Sequence, residues 1–388
     1  MRKPFLVAAL LVATPFFAAC TENAKDSGGD SSDPRAVTVT STDDSCDVST
    51  TEVPAGTLKF NVTNEGSKVT EFYLLGADGL RIVAEVENVG PQLSRQLVVN
   101  APAGTYTTAC KPGMKGDGIR ADFTVTKSGD QPAVSSDDQQ LVDTALANYS
   151  AYVQDQSDQL VSKTREFIAD YKAGNDDAAR ALYPEARTHW ERIETVAESF
   201  GDLDPKTDAR EADLEPGQKW TGWHRIEKDL WPQLAVDYTP LTPKQRAFYA
   251  DDLMKNITTL DDRVQTLDYT VDQIANGSRG LLEEVAAGKV TGEEEYWSHT
   301  DLWDFQANVD GARVGFEGLK PIVEQKDPEL AKTLTARFAA LQKLLDAQKT
   351  ATGFTFYDDL TQEQIKDLAN AVNALSEPLS QLTAAVLS

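Results

Sequence analysis

The rhythm of apolar and polar positions changes near residue 128. From Ala36 to Lys127 apolar residues come in short alternating runs: Val37-Thr-Val-Thr-Ser, Leu58-Lys-Phe-Asn-Val-Thr, Glu71-Phe-Tyr-Leu-Leu, Arg81-Ile-Val-Ala-Glu-Val, Gln96-Leu-Val-Val and Phe123-Thr-Val-Thr. Turn signals separate them at Pro54-Ala-Gly, Asn64-Glu-Gly, Ala77-Asp-Gly, Gly90-Pro and Pro102-Ala-Gly. Runs and turns at this spacing predict a small all-β sandwich over 37–127. Residues 128–139 are rich in Ser, Asp, Gly and Gln and read as a linker.

From 140 to 388 the apolar residues recur at helical spacing. Helices are predicted at 141–171, 176–199, 219–231, 243–287, 304–325, 328–349 and 361–387. Pro243 and Pro328 each stand in a predicted first turn, where a missing N–H costs nothing. Long helices with short connections imply an antiparallel bundle, or two stacked ones.

The N-terminus has its own pattern. Arg2 and Lys3 precede an apolar stretch, Phe5 to Phe17, broken only by Thr14 and Pro15. It is too short for a permanent span and suits a secretory signal peptide over 1–20. Small residues lead to Cys20, which points to lipidation there; simple cleavage beside an incidental Cys is the alternative. Residues 21–36 then form a tether that holds the protein at a membrane. Export places Cys46 and Cys110 in an oxidising compartment.

Composition narrows the function. Of 388 residues 40% are hydrophobic and 26% charged, which excludes wholesale disorder and a polytopic membrane protein. With 62 acidic and 37 basic residues the net charge is −25, a surface that repels nucleic acid and draws cations. Most of that charge, −22, lies beyond residue 127. Three Cys and three His exclude zinc-ribbon arrays, so any metal site must lean on carboxylates.

Two segments carry the candidate chemistry. In the first, Glu191, Glu194 and Glu198 share one predicted helical stripe. Like charges there need a cation, either Arg187 and Arg192 or a metal ion. In the second, Trp220-Thr-Gly-Trp-His224-Arg-Ile-Glu227 sets an imidazole and a carboxylate three residues apart on one helix. Helical bundles build metal sites that way, and nitrogen with oxygen ligands suits iron, manganese or zinc. The third histidine, His299, precedes Thr300 and Asp301, which reads either as a helix cap or as a ligand-bearing turn.

Gly222-Trp-His224-Arg-Ile-Glu227, with Phe200-Gly-Asp-Leu-Asp204 and Asp208-Ala-Arg-Glu before it and Tyr296-Trp-Ser-His-Thr-Asp-Leu-Trp after it, resembles the EfeO family of bacterial iron-uptake components. The resemblance covers nearly the whole mature chain. It implies a cupredoxin-like β-sandwich followed by an all-α, imelysin-like pair of four-helix bundles. It implies a metal site around His224 and Glu227, with Glu191, Glu194 and Asp208 as companions and Glu295 or His299 as further ligands. Iron, as Fe2+ or Fe3+, is then the cargo. A membrane iron permease and a haem peroxidase of the dye-decolorising type are the implied partners. Families with this helical domain are classed as peptidases, but the chain has no His-Glu dipeptide and no second His within a turn of His224. A non-enzymatic binder is therefore expected. The rivals are a ferroxidase and a protein that binds acidic polysaccharide through a bridging metal.

The segment Gly104 to Met114 resembles the copper loop of a cupredoxin, yet residues 1–127 contain no His, so a blue-copper centre is excluded. Cys46 and Cys110 are expected to form a disulfide. The alternative is a second metal site for Cu2+ or Zn2+ built from Cys46, Cys110, Glu71, Glu85 and Glu87.

Overall fold

Period-two burial organises the first half of the chain. The computed structural model describes residues 33–77, 79, 82–114, 116–128, 139–214 and 216–387. Signal peptide, lipidation site Cys20 and almost all of the tether and linker lie outside them, as does the side chain of Glu198. Nine strands form two facing sheets: β1 (Ala36–Ser41), β2 (Cys46–Val48), β3 (Glu52–Pro54), β4 (Gly56–Asn64), β5 (Thr70–Leu75), β6 (Ile82–Val89), β7 (Ser94–Ala101), β8 (Gly104–Cys110) and β9 (Ile119–Thr126). One sheet runs β2-β1-β4-β7 and the other β3-β9-β8-β5-β6. In β4, Leu58, Phe60 and Val62 are buried while Lys59 and Asn61 face solvent. Phe60 packs on Phe72 at 5.1 Å and on Phe123 at 5.5 Å between ring centres, joining the sheets. A disulfide joins Cys46 on the first sheet to Cys110 on the second.

The helical half begins with α1 (Gln139–Ala173) and α2 (Asp176–Glu191). Three short helices follow: α3 (Glu194–Glu198), α4 (Asp204–Thr207) and α5 (Trp223–Leu230). Then come α6 (Pro243–Val264), α7 (Val271–Ala287), α8 (Asp301–Lys326), α9 (Pro328–Asp346), α10 (Gln362–Leu379) and α11 (Leu382–Leu387). A small hairpin, β10 (Lys349–Thr350) with β11 (Gly353–Phe354), joins α9 to α10. Helices α1, α2, α6 and α8 pack as one group of four, and α7, α8, α9 and α10 as another, so α8 belongs to both.

Four predicted helices are corrected, the last being 361–387, which breaks at Ser380–Gln381 into α10 and α11. The span 243–287 is two helices, because Thr270 caps α7 through a box with Gln273 and the chain must turn before it. The span 176–199 breaks at Arg192–Ile193, where Ile193 N bonds Trp190 O in a tightened turn. The helix expected from 219 starts at Trp223, because Gly222 sits at φ 91°.

The β and α parts pack within one compact unit, Pro34–Ser388. Strand β7 is the edge of its sheet, and α7 lies along it. Asp272 accepts from Asn100 N (2.9 Å), Asn276 donates to Val98 O (2.9 Å), and Arg279 donates to Gln96 O (3.4 Å). Glu283 pairs with Arg95. One helix face, Asp272, Asn276 and Arg279 at spacings of four and three residues, thus reads every second residue of the strand, and Glu283 one turn on reaches the adjoining Arg95.

Candidate metal centre

Short elements that are too small to stand alone bring the charged residues together. Arg187, Trp190 and Glu191 come from the end of α2, Glu194 from the start of α3 and Asp208 from the end of α4. His224 and Glu227 face inward from α5. Glu294 and Glu295 come from the turn before α8, which itself supplies Asp304 and Asn308. Gly222 makes this assembly reachable: a Cβ there would lie 2.1 Å from Thr207 O. Only glycine lets α5 close on the Asp208 segment. Thr221 Oγ1 donates to Lys206 O (2.7 Å) and Trp220 Nε1 to Ala209 O (2.7 Å), fixing the same approach.

Arg187, fully buried, is the hub of the carboxylates. It contacts Asp208 and Glu191 closely, Glu295 at 2.6 Å, Asp304 at 3.3 Å and Glu294 at 3.5 Å. A second buried cation, Lys289, contacts Glu191 and reaches Glu194 at 2.9 Å and Asn308 Oδ1 at 2.8 Å. Arg192 is not part of this hub; it pairs with Asp310 at 3.1 Å.

The two faces of the His224 ring differ. Nδ1 lies 3.3 Å from Glu227 Oε2 in hydrogen-bonding geometry, and Glu227 Oε1 is anchored by the backbone N–H groups of Trp297 (2.8 Å) and Ser298 (2.7 Å). Nε2 lies 3.3 Å from Asp208 Oδ1 and 3.4 Å from Glu294 Oε1, yet makes no hydrogen bond. An imidazole held by a carboxylate through one nitrogen, with the other pointing bare at two carboxylates, is how a ligand histidine is prepared for a metal.

Three groups of side chains bring ligand atoms within 4.8 Å of one another: Asp208, His224 and Glu294; His224, Glu227 and Glu295; and Glu191, Glu194 and Asp208. Electrostatics follow from this crowding. Burial pushes the Asp208 carboxyl up, but the Arg187 charge and His224 outweigh it and hold the group well below its usual range. Burial also opposes ionisation of Glu294, yet Lys289 and His224 bring it down to about 2. Asp304 rises to about 8, because burial outweighs the help of Arg187. Burial and the Arg187 charge disfavour a protonated His224, but the pull of the close carboxylates Asp208, Glu227 and Glu294 prevails and its pKa lies well above the usual value.

Of the residues expected here, His224, Glu227, Glu191, Glu194, Asp208 and Glu295 converge. His299 does not. It belongs to none of the three groups; its backbone, at φ 56°, turns the chain, with its N–H bonded to Glu295 O and its carbonyl accepting from Tyr357 N. Glu294, Lys289, Asp304 and Asn308 were not foreseen. Asp301, Asp304 and Asn308 share an i, i+3, i+7 stripe that was readable; Lys289, lone between Gly288 and Gly292, offered no pattern.

The expected Cys46–Cys110 disulfide is present, and the alternative metal site on those cysteines loses its thiolates. Both sulfurs of Cys46 and Cys110 are spent on each other, so neither is available as a thiolate ligand. Glu71 accepts from Tyr73 OH at 2.5 Å and has Lys111 3.8 Å away. Glu85 and Glu87 stand beside it on β6, and burial followed by the neighbouring carboxylates raises both, Glu85 to about 8. In the ion-free chain Glu85 therefore holds its proton near neutrality.

A β-sandwich bridged by a disulfide and a double bundle around buried His and carboxylates together define the cupredoxin–imelysin class of proteins. Family comparison agrees: the Imelysin family matches residues 145–382 and the cupredoxin-like domain family residues 7–125. The chain is 37% identical over 349 residues to the iron uptake system component EfeO of Escherichia coli O157:H7, covering 89% of this chain and 90% of that protein. EfeO of Escherichia coli K12 and of Shigella flexneri match with the same identity and coverage. The chain belongs to the EfeO family.

Proposed function

We propose that this protein captures iron outside the cytoplasm and passes it to a membrane permease, acting as a binder and not as an enzyme. The observation that carries this reading is His224 Nε2, buried, without a hydrogen bond and flanked by Asp208 and Glu294. Two carboxylates crowd that buried nitrogen at 3.3 and 3.4 Å, and a metal ion among the three groups would answer their charge in place of the ring proton. Imidazole with carboxylates suits Fe2+ or Fe3+. On this reading Glu227 positions the ring and His224 touches the ion. The names of the relatives favour iron as the cargo. Family resemblance supports a haem peroxidase of the dye-decolorising type as a further partner, and Cys20 supports a lipid tether that keeps the protein beside its permease. No helix among the described residues is long and apolar enough to cross a membrane.

Binding of iron(II) under anaerobic conditions, followed by calorimetry on the mature chain, tests the reading. His224→Ala is expected to abolish saturable binding at the centre, and Glu227→Gln to weaken it about 10- to 100-fold. A His224→Ala variant that binds as the parent does would refute it.

A further inference from the structure

The two candidate ion positions that share Asp208 are not equivalent. Beside His224 there is a bare nitrogen. Beside Glu191 and Glu194 a cation is already present: Lys289 Nζ, completely buried, meets Glu191 Oε2, Glu194 Oε2 and Asn308 Oδ1. Three oxygens around one point, two of them carboxylate, form a small coordination shell with an ammonium at its centre. The other oxygen of Glu191 is engaged by Arg187. Asn308 Nδ2 bonds the same carboxylate oxygens, Glu191 Oε2 at 3.1 Å and Glu194 Oε2 at 2.8 Å, and so holds the shell in shape.

A hard metal ion bound by these oxygens would sit about 2.0–2.6 Å from each of them. That places it on top of Nζ. Two cations cannot share this buried point, because their repulsion goes largely unscreened there. Lys289 rides on a single 3₁₀ turn, Lys289–Thr291, with glycine on both sides, Gly292 at φ 74°. A short turn of that kind can rearrange without unpacking a long helix. Glu284, partly exposed and 3.8 Å from Nζ, gives the ammonium a third anionic partner on the way out.

Resting on the reading of this centre as an iron site, we propose that Lys289 is a resident counter-cation that keeps the Glu191–Glu194 pair assembled in the empty protein and that an arriving metal ion must evict. Loading at this position is an exchange of cations. An ion whose attraction to two carboxylates does not exceed that of the ammonium is turned away. The lysine thereby sets a lower limit on the charge density of the cargo, and its return helps to expel the ion at release.

The mature chain, with iron(II) chloride as the probe under anaerobic conditions, allows a direct test. Lysine acetylation by an N-hydroxysuccinimide ester, mapped by peptide mass spectrometry, reports whether Nζ leaves the interior. Lys289 is expected to be protected without metal and to label several-fold faster at iron saturation, while other buried contacts stay protected. In parallel, Lys289→Met, which keeps the stem and removes the charge, should bind iron(II) about tenfold or more tightly than the parent. Unchanged labelling of Lys289 at saturation overturns the proposal, and it does so on the parent protein even if the variant fails to fold. A folded Lys289→Met that binds no more tightly overturns it as well. His224→Ala separates the two readings. If binding does not depend on His224, the iron centre itself is wrong and the exchange falls with it; His224-dependent binding without exposure of Lys289 removes the exchange alone.

Discussion

Two groups of crowded acids in this protein have their charge answered in different ways. In the helical half nearly every inward carboxylate is answered: Arg187 touches five of them, Lys289 two more oxygens, and Glu227 takes two backbone N–H groups. On the β-sandwich, Glu71 has Lys111 3.8 Å away, and the half-buried Glu85 and Glu87 stand beside it. Asp208 and Glu294 are driven to the ionised form, while burial still raises Glu194, Glu295 and Asp304 beside the same cations, as it raises Glu85 and Glu87 on the sandwich. The residue types are the same. Whether such a carboxyl is charged or neutral depends on the balance between its burial and the cations that fold in beside it.

Removing the hub should have the largest effect. Arg187→Met leaves several carboxylates buried without their counter-charge and is expected to destabilise the helical half by about 5 kcal/mol, the upper range for a broken buried pair. Chemical denaturation at neutral pH followed by tryptophan fluorescence would measure it. A loss below about 1 kcal/mol would mean that the carboxyls are already protonated and that the contrast drawn above is false.

On the sandwich side the disulfide replaces ionic pairing as the cross-sheet tie. Cys46 and Cys110 are 64 residues apart in sequence, and the chain-entropy model gives about 4 kcal/mol for closing such a loop. Replacing both by Ser should lower stability by about that amount, read by denaturation in non-reducing buffer. Iron binding at the helical centre is expected to persist in that variant.

The smallest effect is the most specific. Glu85 has a folded-state pKa raised to about 8 by burial and by Glu71. The folded chain holds a proton there over a range where the unfolded chain has lost it. Stability from this group is therefore complete below about pH 4.5 and declines as pH climbs toward 8. Glu85→Gln, which mimics the protonated form, should be the more stable protein at pH 8.5, by a few degrees in melting temperature, and match the parent at pH 5. Parallel melting curves for the two proteins that do not diverge with pH would show that Glu85 is not held neutral.

Much of the fold was legible because its signals are local. Alternation in Leu58-Lys-Phe-Asn-Val-Thr marks β4, and proline after Thr242 and Asp327 marks two helix starts. The His224–Glu227 spacing was legible for the same reason. The breaks at Arg192 and before Thr270 were not, since apolar periodicity continues across them and tertiary packing decides where the chain turns. Glu294 was missed within Glu293-Glu294-Glu295 because the chain there forms turns and not a regular element, so period says nothing about which carboxylate faces inward. Lys289 was the hardest. Its two carboxylate partners in the interior lie 98 and 95 positions away in sequence.

The seat of α7 along β7 has a consequence for how this protein can be handled and how it is made. An edge strand with free N–H and C=O groups is a template for another strand. Here the carbonyls of Gln96 and Val98 and the N–H of Asn100 are bonded by side chains that are synthesised more than 170 residues later. While the helical half is still emerging, the sandwich carries an open, adhesive rim, and a sandwich cut away from its helices would carry that rim permanently. The helix acts as a guard against self-association, and the nascent chain depends on its timely arrival.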